Sequence, residues 1–169
     1  PEMLASATKE KLQNIWNVTN EIDLHANNGT QRLFDSIEYS PYQLSNSSCV
    51  QNLTLESDYS TKLANALVKV MENTVNGKVT YIHCWAGADR TGTICWMLEG
   101  LLGVSSKDCS IDYELTSFSG REARLRTDEF KNAMYYVTSI GHVNDMKDGI
   151  LRWCEKSGIS IDLINNFRK

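Results

Sequence analysis

Residues 83–92 read HCWAGADRTG. Within this span a cysteine is followed by small residues and, six positions on, by an arginine. A thiol at the start of a helix and near a guanidinium ionises more readily than a free one, because both features favour the thiolate. Ala86, Gly87 and Ala88 let the backbone curl round a tetrahedral oxyanion without side-chain clashes. The planar fork of Arg90 suits two phosphate oxygens at once. These parts would bind phosphate, and Cys84 adds the chemistry: a thiolate beneath phosphorus is placed to attack it and form a thiophosphate intermediate. Thr91 can donate a hydroxyl hydrogen bond to the sulfur and help it leave. A thiolate already formed needs no base, so His83 is expected to bond neighbouring backbone; it also reads as strand packing or as a tuner of the thiolate. Trp85 reads as pocket rim or as a core aromatic.

The stretch must be held by its flanking elements. KVTYIHC (78–84) is a strand of β-branched and aromatic residues. An apolar helix follows, carrying Ile94, Met97, Leu98, Leu101 and Leu102 and ending at Gly103. The loop between them is the place where α/β proteins bind ligands, and the free amides of a helix start favour an anion. Upstream, residues 6–16 read as a short amphipathic helix with Leu12, Ile15 and Trp16 on one side. NEIDLHA (20–26) alternates Ile22 and Leu24 with polar neighbours, as a strand does. NNGT (27–30) is a turn, and SIEYSPYQL (36–44) is a second strand interrupted at Pro41. Residues 45–58 read as a long loop. From Ser60 to Val75, Leu63, Leu67, Val70 and Met71 share a helical face, with Asn76-Gly77 as the stop. Downstream, Ser105 caps a helix with Asp108 as its capping-box partner. Thr127, Asn144 and Ser160 cap three more. Strand, helix, strand, helix, then helices alone, indicates an α/β fold with an all-helical C-terminal half.

The ten-residue stretch closely resembles the signature of the cysteine-based protein tyrosine phosphatase superfamily, H-C-x5-R-[S/T]. Within it, the loop is most similar to H-C-x-A-G-x-D-R-T-G of atypical bacterial tyrosine phosphatases. EIDLH resembles the family's I-D-L-R strand, with His25 where the family often has arginine. LEGLLGVSSKDCSIDYELTSFS resembles the two helices after its loop, so the likeness covers roughly residues 20–120. Meeting the six fixed positions by average composition has a chance on the order of one in a million. The resemblance implies one phosphatase domain over residues 1–169, with a central mixed sheet flanked by helices. It implies a tyrosine or dual-specificity phosphatase that hydrolyses phosphotyrosine, or other phosphomonoesters, through a cysteinyl-phosphate. Cys84, Arg90 and Asp89 would be catalytic, and Trp85, Ala86, Gly87, Ala88 and Thr91 would bind substrate, with no cofactor or metal.

The leaving oxygen of a phosphate ester needs a proton, usually from a carboxylic acid. The resemblance implies an aspartate on a loop roughly thirty residues before the cysteine. Asn52 stands near that place, and an amide cannot supply the proton. Two carboxylates remain. Asp89, inside the loop, is taken as general acid and then as base for the attacking water; its other reading is a brace for the loop's amides. Asp58 also reads as an N-cap. Arg121, Arg124 and Arg126 read as a solvated cluster, or as a grip for a second phosphate if they fold over the pocket. An inositol phosphate or phosphoinositide phosphatase is therefore an alternative, although no lysine lies between Cys84 and Arg90. A phosphate-binding pseudophosphatase is another; it would usually lack the cysteine or the arginine, and both are present.

The 169 residues are 41% hydrophobic and 22% charged, with a net charge of −4. That fits one domain and offers nucleic acid or anionic membranes no global attraction, so an anionic substrate needs a local positive site. No run is long and apolar enough to span a membrane. Five cysteines without C-x-x-C spacing argue against a disulfide framework and a zinc knuckle, and favour a reducing, cytoplasmic location. Cys49 and Cys95 are potential disulfide partners for an oxidised Cys84, with Cys95 read as buried. The N-x-S/T matches at Asn17, Asn28, Asn46 and Asn52 are read as chance. The chain begins at Pro1 rather than methionine, which leaves room for a preceding segment or a removed signal. The partner expected is a phosphorylated protein or a small phosphomonoester.

Overall fold

The computed structural model describes residues 5–25, 32–45, 49–115, 128–142 and 145–169. After a short helix α1 (Ser6–Asn14), strand β1 (Val18–Asp23) is followed by β2 (Glu38–Pro41), the one-turn helix α2 (Cys49–Leu53) and the long α3 (Asp58–Val75). Strand β3 (Val79–His83) then leads into α4 (Asp89–Leu102) and the remaining helices α5 (Ser106–Glu114), α6 (Asp128–Ile140), α7 (Met146–Lys156) and α8 (Ile161–Phe167). The α/β fold with a helical C-terminal half is as expected. The sheet differs from the mixed sheet expected: among the described residues its order is β2-β1-β3 and both pairings are parallel. Each connection runs long enough to return the chain to the same end of the sheet, which parallel pairing requires.

Central β1 explains why alternation misleads here. Five of its six residues are buried, Asn20, Glu21 and Asp23 among them, because a middle parallel strand is covered on both faces. Its register sets Glu21 beside Tyr39 and Tyr81, and Asp23 beside Pro41 and His83. Its ladder runs beyond the sheet: the Leu24 amide donates to the His83 carbonyl at 2.9 Å.

Helix α3 buries Leu63, Leu67, Val70 and Met71, spaced i, i+4, i+7, i+8 as a single apolar stripe demands. It starts two residues before the expected position: Ser57, not Asp58, is its N-cap and accepts from the Ser60 amide. Ser105 caps α5 as expected, accepting from the Asp108 amide at 3.1 Å. Ser160 sits at the start of α8 without a side-chain cap bond. Asp145 caps α7, and the caps expected at Thr127 and Asn144, like the 27–30 turn, lie outside the described residues. The long loop expected over 45–58 contains α2. That turn is secured from outside itself, by Glu129 accepting the Cys49 amide and by Trp153 donating its indole N–H to the Leu53 carbonyl at 2.6 Å. Ile22, Leu24, Leu63, Met71, Ile94, Met97, Ile150 and Trp153 meet in one core between sheet and helices. Each contributes roughly 1.5–3 kcal/mol by its burial.

Candidate active site

Strand β3 ends at His83 and α4 begins at Asp89, so the small-residue stretch forms the turn at the carboxyl end of the sheet. Trp85, Ala86 and Gly87 are exposed; Cys84, with 3% exposure, and Ala88 are buried below them. Gly87 has φ +69°, the left-handed region that costs a side-chain-bearing residue about 1 kcal/mol or more. Ala88 precedes α4 with no side chain capping the helix start. The first amides of α4 are therefore not claimed by a side-chain cap, and helix starts of this kind attract anions.

Burial pushes the Cys84 thiol up, yet it ends below its ordinary value of 9.0. The Thr91 side chain and amide, the Arg90 guanidinium and the Ala86 amide together outweigh the desolvation. The Thr91 hydroxyl is buried without a partner of strict hydrogen-bond geometry, but lies close enough to the sulfur to favour the anion. Other thiols differ. Burial pushes Cys95 and Cys109 up to about 11 and Cys154 up to about 12. Cys95 is half-buried rather than fully enclosed.

Arg90 is 8% exposed and donates to the Leu24 carbonyl at 3.1 Å. A backbone acceptor one residue past the end of β1 thus aims the guanidinium. Asp89 opens α4, where its carbonyl accepts from the Thr93 hydroxyl at 2.7 Å. Asp58 is in the first turn of α3, 77% exposed and paired with Lys62 at 2.7 Å. Asn52, near the place expected for an acid, is buried and clamps Ser45: its Oδ1 accepts the Ser45 amide at 2.8 Å and its Nδ2 donates to the Ser45 carbonyl at 3.0 Å. Arg121, Arg124 and Arg126 lie outside the described residues. Cys49 is buried, with its sulfur 3.6 Å from the Tyr113 hydroxyl.

Below the loop lies a buried polar group that sequence reasoning missed. His83 does not bond neighbouring backbone through its ring; its Nε2 is 2.9 Å from Glu21 Oε1. Glu21 also accepts the Leu33 and Phe34 amides. Asp23 bonds the His25 ring and accepts the Tyr39 hydroxyl at 2.7 Å. Burial pushes the Asp23 carboxyl up, but bonds from the His25 ring, Tyr39 and the His25 amide, with His83 nearby, bring it below the usual carboxylate value. Trp85, 53% exposed, stands edge-on to His25 with ring centroids 6.1 Å apart. Two acidic residues on a central strand beside I-H-C were the available signal.

The turn between β3 and α4 sets the Cys84 thiol beside a buried arginine at the start of a helix, and the wider chain matches a known family. The family described as the tyrosine phosphatase family matches residues 1–155. This chain belongs to that family and is a phosphatase-like protein whose class of substrate is phosphorylated. Comparison with the curated proteins gave no match.

Proposed function

We propose that this chain is a cysteine-dependent phosphomonoesterase of one domain, residues 1–169, that hydrolyses phosphotyrosine. The observation that carries this reading is the placement of Cys84 between β3 and the uncapped start of α4, with buried Arg90 held on the Leu24 carbonyl beside it; these neighbours favour the thiolate. The Cys84 thiolate attacks phosphorus as the ester P–O bond breaks, and the Asp89 carboxylic acid protonates the leaving oxygen. Asp89, now a carboxylate, takes a proton from water. The hydroxide attacks phosphorus, the S–P bond breaks, and the thiolate returns, stabilised by Thr91. Arg90 and the amides of Trp85, Ala86, Gly87 and Ala88 hold the phosphoryl oxygens as charge shifts among them. The exposed Trp85 ring at the rim favours an aromatic phosphoester, whose own ring it can meet edge or face. Five free cysteines fit a reducing, cytoplasmic location.

Turnover of p-nitrophenyl phosphate, a phosphotyrosyl peptide and an inositol polyphosphate at equal concentration tests the reading. The peptide is expected to lead, and Cys84→Ser is expected to abolish all turnover. Asp89→Asn should slow a poor leaving group by about 10²–10⁴-fold and a good one far less. If Asp58→Asn has that effect instead, the acid is misassigned. Turnover that survives in Cys84→Ser defeats the mechanism.

A further inference from the structure

Asp23, His25 and His83 each offer a ligand atom, and these atoms all lie within 4.8 Å of one another. All three residues are more than nine-tenths buried. We propose that Asp23, His25 and His83 form a binding site for a divalent transition-metal ion, of which Zn²⁺ is the probe. The reading is independent of the phosphatase mechanism.

His83 carries the argument. Glu21 Oε1, which accepts the Leu33 amide, lies 2.9 Å from His83 Nε2 and is placed to accept its proton, so in the neutral ring Nδ1 keeps a lone pair. That nitrogen is buried without a hydrogen-bond partner and lies 3.9 Å from Asp23 Oδ1. A carboxylate behind a histidine, fixing its tautomer and leaving the far nitrogen bare, is the outer-shell arrangement of metal-binding histidines. Asp23 is supported in the same way, since its second oxygen accepts the Tyr39 hydroxyl. A buried nitrogen left unpaired is destabilising, and an ion bound there would offset that.

Two imidazoles and one carboxylate suit zinc and its first-row neighbours rather than Ca²⁺ or Mg²⁺, which prefer oxygen. Tetrahedral bonds of about 2.0–2.2 Å set ligand atoms about 3.3–3.6 Å apart. The His83–Asp23 gap closes slightly to reach this, and the His25–Asp23 pair opens as the ion replaces the proton between them. His25 then carries its ring proton on Nε2, reached by exchange through solvent, and binds as a neutral imidazole. Glu21 and Asp23 supply two negative charges against the one positive charge of Arg90, which is bonded to the Leu24 carbonyl between two of the ligands. His25, edge-on to exposed Trp85, is the ligand nearest solvent.

The full chain carrying Cys84→Ser, which removes the competing thiolate, is titrated with Zn²⁺ against a chromogenic chelator and with Co²⁺ by visible absorption. One equivalent should bind, with tetrahedral cobalt bands and no sulfur-to-cobalt charge transfer. His25→Gln and His83→Gln should each weaken binding about 10–100-fold, and Glu21→Gln about tenfold. Circular dichroism checks that each variant folds. Absence of stoichiometric binding at micromolar ion overturns the proposal, as does a thiolate charge-transfer band or unchanged affinity in folded His25→Gln. The cobalt spectrum of the Cys84→Ser chain itself reports the ligand set even where His83→Gln does not fold. None of these readouts is turnover, so failure here leaves the phosphatase reading standing.

Discussion

Cys84 shows how two opposed effects on one sulfur are settled. Burial alone would keep it protonated, as it does at Cys95, Cys109 and Cys154. Thr91, Arg90 and the turn's amides reverse the sign. Reactivity toward iodoacetamide should therefore single out Cys84 near neutral pH, with a midpoint below 9.0, although its exposure is small. Thr91→Val should move that midpoint upward while leaving the circular dichroism unchanged; peptide mapping after alkylation at several pH values reads both. The sign for stability follows the same logic. A thiol whose folded value is depressed contributes stability above its unfolded value, and loses it as pH falls through the folded one.

Elements pack here by close approach and by one costly carboxylate. At Gly149 in α7 a Cβ would stand 2.3 Å from the Val137 carbonyl oxygen of α6. Backbone cannot yield as a side-chain tip can, so Gly149→Ala should cost roughly 1–3 kcal/mol or more, seen as a lowered urea midpoint. On α4, burial and then the Asp112 carboxylate push Glu99 up to about 6. A raised carboxyl contributes its stability below the unfolded value of 4.5 and loses it as pH rises through about 6. Glu99→Gln should therefore raise the melting temperature at pH 7.5 but little at pH 4.5. The gain is about 1 kcal/mol once discounted for partial exposure. The elements that could be read from sequence were those with enough turns to show a period, such as α3 and α4. Helix α2 could not, because five residues establish no period and its bonds to Glu129 and Trp153 come from far along the chain. The turn at 83–92 was legible since its parts are contiguous. Glu21, Asp23 and Tyr39 were not, because strand register alone brings them beneath it.

At the scale of the molecule, the core extends past the family match. That match ends at residue 155, yet Ile159 and Ile164 are buried and Arg168 Nε donates to the Leu101 carbonyl at 2.7 Å. Deleting residues 158–169 removes about 3–6 kcal/mol of apolar burial from a typical total of 5–15. The shortened chain should unfold at a much lower urea concentration, or non-cooperatively, in a fluorescence titration. A net charge of −4 leaves attraction of phosphate to the few positive features near Cys84, and the orientation of Arg90 then matters most. Its anchor is the Leu24 carbonyl, an oxygen that every amino acid carries. Leu24 can be exchanged for any apolar residue of similar bulk and the guanidinium keeps its aim, so neutral drift at that position leaves the anion grip intact for as long as the central strand keeps its path.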